Sequence, residues 1–294
     1  VKNRNRVKPQ IANPGKPSIG KALAILYLFE WDRPEWTADE ICVKTKGTRP
    51  SVYRYIRELV DVGLLRRIPG GRYALGPAII RLDNVIRNSD PLLRAAAPVM
   101  HELTARTSCD CSLTALFGNS IMDMHSEHGD DSRREYGRGQ PVEMFRGSAA
   151  KVILSQQPAT WQRRLYQAHA TEIATRGMGN DWATFAATLT AIRKSGYYIS
   201  RGEVTPALST IAVPISALEA GYSAALSVVC SSARFEILNH DLIIELLQEA
   251  VERIKMALEL PSLMPASSSS RPSAVNGRTP QATAARATRS SAKR

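Results

Sequence analysis

From Ser18 onward, apolar residues recur at helical spacing. Ile19, Leu23 and Leu26, with Ile25 and Phe29 beside them, predict a helix that Ser18 can cap. The run Trp31-Asp32-Arg33-Pro34 breaks it. Thr37, with Glu40 three residues on, has the spacing of a capping box and predicts a short helix over 38–44. Gly47 supplies a turn. A third helix is expected from Pro50, a favoured first-turn residue, to Val62, burying Val52, Ile56, Leu59 and Val60; Gly63 is placed to end it in a left-handed cap. Residues 64–68 and 72–75 then read as two strands around Pro69-Gly70-Gly71, a β-hairpin.

After Gly76 and Pro77 the pattern lengthens. Residues 78–88 form an amphipathic helix of linker length. Asp90 caps a longer helix over 91–107, with Leu93, Ala97, Met100 and Leu103 on one side. Strand-like stretches at 111–117 and 120–125 flank a turn at Gly118-Asn119, and Gly137-Arg138-Gly139 reads as a second turn. Helices are expected at 147–155, 182–195 and 239–258, and strands at 209–215 and 222–230. This order is α+β, with two helix-and-strand domains. The expected boundaries are 18–76 for the first domain, 77–90 for the linker helix and 91–260 for the second domain.

Charge changes the picture only once it is located. The chain has 294 residues and a net charge of +12. Residues 1–17 and 261–294 hold no acid and carry eleven of those positive charges. Both ends hold almost no large apolar residues and read as disordered basic arms, able to hold phosphates in a salt-sensitive, sequence-blind way. Within the folded part, block 18–75 has ten Lys or Arg against seven Asp or Glu, whereas 76–260 is net acidic. The first block is therefore the positive one. Neither a membrane-length apolar run nor a secretory apolar region follows the basic start, so a cytoplasmic protein is expected.

A helix-turn-helix braces one short helix against a second that enters the major groove. Off the apolar stripe, the third helix offers Arg49, Ser51, Tyr53, Arg54 and Arg57, and the hairpin adds Arg66, Arg67 and Arg72. Arginine grips guanine or phosphate bidentately, and hydroxyls reach either. The reading is a winged helix-turn-helix that binds double-stranded DNA. The competing reading is a protein-docking module with a solvated arginine face, which gives those arginines no shared task.

Catalytic signatures are absent: no GxSxG, HExxH, P-loop or GxGxxG occurs. His101, Glu102, His125, Glu127 and His128 could form an acid–base set only if the fold gathered them in a pocket. The four cysteines, Cys42, Cys109, Cys111 and Cys230, make no CxxC pair. A zinc site from Cys109, Cys111, His125 and His128 is the sharp alternative to small core hydrophobes. No enzyme, metal or cofactor is expected.

Six strings in order resemble the IclR family of transcriptional regulators across 18–258. They are SIGKALAIL at 18–26; RPSVYR at 49–54 with Leu59 and Val62-Gly63-Leu64; RYALG at 72–76; AAPVMHEL at 96–103; GSAAKVIL at 147–154; and IRKSGY at 192–197 through Glu203 to IAVPI at 211–215. The resemblance implies a GAF-like C-terminal domain, a curved antiparallel sheet with a pocket for a small organic effector. It implies a homodimer through the DNA-binding domain, often a dimer of dimers, that represses or activates a promoter. Matching positions put Ser148 and Ala149 at the ligand carboxylate, where helix-start amides suit an anion, and Ser200, Thr210, Ser227 and Val229 around its body. Two positions depart from the pattern: Ala150 replaces a usual glycine, and Ser200 replaces a common acid. Val229, a hydroxyl in some members, makes the pocket drier and points to a less polar carboxylate, with an aromatic one among the candidates. The plainer reading is that Thr210 and Ser227 only pack and bond the backbone.

Overall fold

The computed structural model describes residues 18–130, 137–217 and 221–259. The basic arms at 1–17 and 261–294 lie outside the described residues.

The chain opens with α1 (Ser18–Ala24), which tightens into a 3-10 turn at Ile25–Leu28. The apolar stripe divides here. Ala22, Ile25 and Leu28 are buried, but Ile19 and Leu23, which set the helical spacing, are exposed. A short strand β1 (Trp36–Thr37) leads into α2 (Ala38–Thr45). Thr37 caps α2 as expected: Glu40 N–H donates to Thr37 Oγ1 at 3.3 Å and Thr37 N–H donates to Glu40 Oε2 at 2.8 Å. The third helix, α3 (Arg49–Asp61), buries Val52, Tyr55, Ile56 and Leu59; Val60 is only half-buried. Gly63, at φ +74°, makes the left-handed exit. Strands β2 (Leu65–Ile68) and β3 (Arg72–Leu75) pair antiparallel, and β1 adds to β3, giving a three-stranded wing sheet. Gly76 closes the unit tightly: a Cβ there would meet Gly63 O at 2.1 Å.

Helix α4 (Pro77–Ser89) buries none of its residues. Asp90 then caps α5 (Pro91–Thr107), with Leu93 N–H donating to Asp90 Oδ1 at 3.0 Å. Its buried side carries Leu92, Leu93, Ala96, Val99, Met100 and Leu103; Ala96, not the expected Ala97, faces inward.

The remaining strands are β4 (Asp110–Phe117), β5 (Ser120–Glu127), β6 (Pro141–Val142), β7 (Tyr198–Arg201), β8 (Leu208–Ala217) and β9 (Tyr222–Ser231). They form one antiparallel sheet in the order β6-β5-β4-β9-β8-β7. The helices between and after them are α6 (Ser148–Gln156), α7 (Ala159–Thr175), α8 (Trp182–Ser195), the single turn α9 (Ser232–Phe235) and α10 (His240–Glu259).

Alternation along each strand separates the two faces of this sheet. Leu113, Ile211, Val213, Leu226 and Val228 pack on α5 and α10 in the main core. The other face carries Ser112, Thr114, Ser200, Thr210 and Ser227, all on the side of α6. Among the described residues no helix is long and apolar enough to cross a membrane.

Candidate functional site

Two surfaces carry the candidate chemistry. The first is the exposed side of α3. Arg54 and Arg57 lie nearest the pole opposite the buried stripe, with Tyr53 beside them and Arg49 at the flank. Ser51 is half-buried and accepts from Thr48 Oγ1 at 3.0 Å. Arg49 pairs with Asp39 at 3.1 Å, Arg54 with Glu58 at 4.0 Å and Arg72 with Glu35 at 3.5 Å. Exposed pairs of this kind contribute at most about 1 kcal/mol, so a phosphate can displace them cheaply. Arg57, Arg66 and Arg67 make no ion pair with any described residue. On the wing, Ile68 faces Arg72, so Arg66 and Arg72 share one face while Arg67 sits on the other, opposite Tyr73. The wing is anchored below by Trp36, whose Nε1 donates to Leu28 O at 2.9 Å and whose ring carries the Arg33 guanidinium at 3.4 Å.

The second surface lies between α6 and the sheet. Gly147 precedes α6 at φ +78°, and the first-turn amides of a helix have no acceptor within it. Ser148 is buried and its hydroxyl meets Thr210 Oγ1 at 2.6 Å, which ties the start of α6 to β8. The ladder then lines up the other expected residues. Ser200 faces Thr210, Thr210 faces Val229, and Ser227 lies two residues from Val229 on the same face. All six expected effector residues thus gather around one end of α6. Ala150 fits without strain, its methyl buried among Ile121, Ile153 and Ala225. Ser227 Oγ, by contrast, is buried with no hydrogen-bond partner among the described residues.

Three more polar residues share this face. Ser112 faces Ser227, and Thr114 lies two positions on. Both hydroxyls donate to Asp123 Oδ1, at 3.2 and 2.8 Å. Burial pushes the Asp123 carboxyl up to about 6, and those two hydrogen bonds only partly offset it. The hydroxyl alternation of β4 is visible in the sequence. Asp123 is not, because a bulge beside Leu113 and Thr114 shifts the register that brings it there.

Beyond Gly147, Lys151 Nζ donates to Glu203 Oε2 at 2.6 Å and to Tyr198 OH at 3.0 Å. Gly147 N–H donates to the same carboxylate at 3.1 Å. This cluster locks α6 to the β7–β8 connection. A cavity of about 460 Å³ opens there, lined by Arg146, Lys151, Thr175, Arg176, Gly177 and Glu203. It includes none of the six expected effector residues.

The acid–base set comes together only in part. His125 and His101 both reach Glu127, at 2.7 and 3.5 Å, while Glu102 goes to Arg253 and His128 sits 3.7 Å from Asp110. Among the described residues no three His, Cys, Asp or Glu side chains are grouped to hold a metal, so the zinc alternative is not assembled.

The IclR helix-turn-helix domain matches residues 18–69, and the C-terminal domain of bacterial IclR transcriptional regulators matches residues 85–256.

The chain belongs to the IclR family.

IclR proteins are DNA-binding transcriptional regulators rather than enzymes, and they bind DNA and small effectors as dimers. Among IclR-type relatives, the chain is 28% identical over 225 residues to the HTH-type transcriptional regulator KipR of Bacillus subtilis, covering 74% of this chain and 87% of that one. It is 25% identical over 224 residues to the p-hydroxybenzoate hydroxylase transcriptional activator of Acinetobacter baylyi, covering 74% and 82%. Its fold is that of an IclR homolog from Microbacterium hydrocarbonoxydans solved in complex with 4-hydroxybenzoate, with a TM-score of 0.67, 22% identity, and 82% and 99% of the two chains covered.

Proposed function

We propose that this chain is a sequence-specific regulator whose DNA affinity is set by a small carboxylate effector with an aromatic body. Residues 18–76 act as the DNA-reading domain, 77–90 as the linker helix and 91–260 as a GAF-like effector domain. Arg54 and Arg57 read bases or phosphates, with Arg49, Ser51 and Tyr53 beside them and Arg66 and Arg72 on the adjacent backbone. The observation that carries the effector reading is the buried hydroxyl face under α6, with the unpartnered Ser227 Oγ within it. Buried polar groups are ordinarily paired, so a hydroxyl left without a protein partner beside open helix amides favours a ligand. In this reading the Ser148 and Ala149 amides hold the carboxylate, while Ser200, Thr210, Ser227 and Val229 surround the body. The names of two relatives, one an activator for p-hydroxybenzoate hydroxylase and one solved with 4-hydroxybenzoate, favour an aromatic acid.

The dimer forms through the exposed apolar side chains of α1 and α4. Ile19 and Leu23 project from the first, Tyr27 from the 3-10 turn that follows it, and Ile80, Leu82, Val85 and Ile86 from the second. Apolar surface of that extent on a helix with no buried residue calls for a partner, and a second copy supplies the matching surface by two-fold symmetry. Effector binding is relayed through Arg138. Its Nε donates to Asp83 of α4 at 2.7 Å, and its Nη1 donates to the carbonyl of Met124, next to Asp123. Gly139 N–H and Gln140 O close onto the Asp123 backbone at 2.8 and 3.1 Å. A ligand that shifts Asp123 therefore moves the residue that holds the linker helix.

Titration of the full chain with 4-hydroxybenzoate, followed by calorimetry and thermal denaturation, tests the effector reading. Saturable binding that Ser148→Trp abolishes, with operator binding intact, is the expected result. Binding that survives Ser148→Trp would move the pocket elsewhere.

A further inference from the structure

Cys109 and Cys230 sit at one end of the large sheet, Cys109 in the bend just before β4 and Cys230 on its neighbour β9. The β4–β9 ladder pairs Asp110 with Val229, so the next step in the same register brings Cys109 opposite Cys230. Opposed residues of an antiparallel pair have Cα atoms about 4.5 or about 5.5 Å apart, and a disulfide spans roughly 4.4–6.8 Å. Both are free thiols; the Cys109 S–H donates to Thr107 O at 3.4 Å, which leaves its sulfur to accept from Cys230. They are 1% and 4% exposed.

Their surroundings favour ionisation of one of them. Arg234 Nη2 donates to Thr107 O at 3.0 Å, while its buried Nε finds no partner among the described residues. A thiolate at Cys109 is the acceptor that guanidinium lacks. The hydrogen bond from Cys230 and the Arg234 charge outweigh burial and pull the Cys109 thiol down to about 7. Burial pushes the Cys42 and Cys111 thiols the other way. The thiolate is the reactive form, so Cys109 combines a lowered pKa with a neighbouring thiol able to resolve it, which Cys42 and Cys111 do not.

We propose that Cys109 and Cys230 form a reversible redox site, oxidised by a hydroperoxide to a disulfide that joins β4 to β9. The Cys109 thiolate attacks the terminal peroxide oxygen, the O–O bond breaks, and the alcohol leaves after taking up a proton; Cys109 becomes a sulfenic acid. The Cys230 sulfur then attacks the Cys109 sulfur, an S–S bond forms, the S–O bond breaks, and water leaves with the Cys230 proton. In sum, two thiols and one hydroperoxide give one disulfide, one alcohol (a second water from hydrogen peroxide) and one water. A thiol reductant reverses the change by exchange. The bond forms one residue from Val229 and from Asp110, so it stiffens the sheet whose other face carries the effector residues. The site does not depend on the effector reading.

Mass spectrometry of the full chain, treated with hydrogen peroxide, then denatured, alkylated and digested, tests this without any mutation. The expected product is a single link between the Cys109 and Cys230 peptides, removed by dithiothreitol and formed faster as pH rises through about 7. Cys42 and Cys111 are recovered alkylated. Cys109→Ala and Cys230→Ala each abolish the link, and Cys42→Ala leaves it. Three results would overturn the proposal: no link at peroxide levels that oxidise exposed methionines, a sulfinic acid at Cys109 with Cys230 still alkylatable, or a link through Cys42 or Cys111.

Discussion

Asp123 holds a carboxylate that the fold tolerates at a cost, and that cost can be measured. The residue is 7% exposed and makes no ion pair with any described residue. Among the described residues its side-chain partners are the Ser112 and Thr114 hydroxyls, at 3.2 and 2.8 Å. Burial raises its pKa from 3.8 to about 6. The folded state therefore binds this proton more tightly than the unfolded state. Below about pH 4 the group is neutral in both states and costs nothing. Between about pH 4 and pH 6 the unfolded chain ionises first, and stability falls as pH rises; above that window the full penalty is present. Two pKa units at about 1.4 kcal/mol each give roughly 3 kcal/mol, a large share of the roughly 5–15 kcal/mol that holds a domain folded. Asp123→Asn keeps the shape and removes the charge. Urea denaturation followed by circular dichroism should find the variant more stable than wild type by up to about 3 kcal/mol at pH 7, and equal to it near pH 4. It should also weaken the response to 4-hydroxybenzoate, since a group retained against stability has a task on the effector face. A variant as stable as wild type or less so at neutral pH would refute the reasoning.

Other outcomes follow from the same geometry. Arg54→Ala should weaken operator binding by roughly 1–3 kcal/mol if the side chain reads a base, measured by fluorescence anisotropy on a defined duplex; unchanged affinity would remove Arg54 from the reading face. Ile80→Asp, at a side chain 74% exposed on α4, should raise the dimer dissociation constant at least about a hundredfold, since each of two copies loses roughly 1.5–3 kcal/mol of burial. Analytical ultracentrifugation would contradict this if the variant stayed dimeric at the same concentration. Arg138→Ala should leave operator affinity and effector affinity each within about threefold of wild type while shrinking their coupling; full coupling in the variant would break the proposed relay.

Much of the fold was legible because its signals are local. The capping box at Thr37 and Glu40, the Asp90 cap and the Gly63 exit each fix an element end within a few residues of chain. Helix α8 was expected at its observed bounds from its amphipathic pattern, and the structure adds Asp181 as its cap. Helix α7 was missed because only Gln162, Leu165 and Ile173 are buried along its length, too sparse a stripe to stand out. The four-residue β7 was missed because it is too short for alternation to show. Periodicity also reports a stripe without naming what covers it. Ile19 and Leu23 belong to the helical stripe, yet their own domain leaves them exposed. On the buried hydroxyl face, Ser112 and Thr114 alternate in plain view and Ser227 was named through the family resemblance, but Asp123 depends on a bulge that cannot be read from one segment alone.

Residues 18–76 are proposed to read DNA by sequence. Selection of genomic fragments by the purified full chain, at moderate and then high salt, tests it most directly. Nonspecific phosphate contacts weaken steeply with salt, while base contacts discriminate between sequences at either salt. The account predicts a small set of fragments that survive high salt and share a two-fold symmetric site, and that Arg54→Ala no longer recovers. Loss of all fragments together as salt rises would contradict it, leaving only the basic arms to hold DNA.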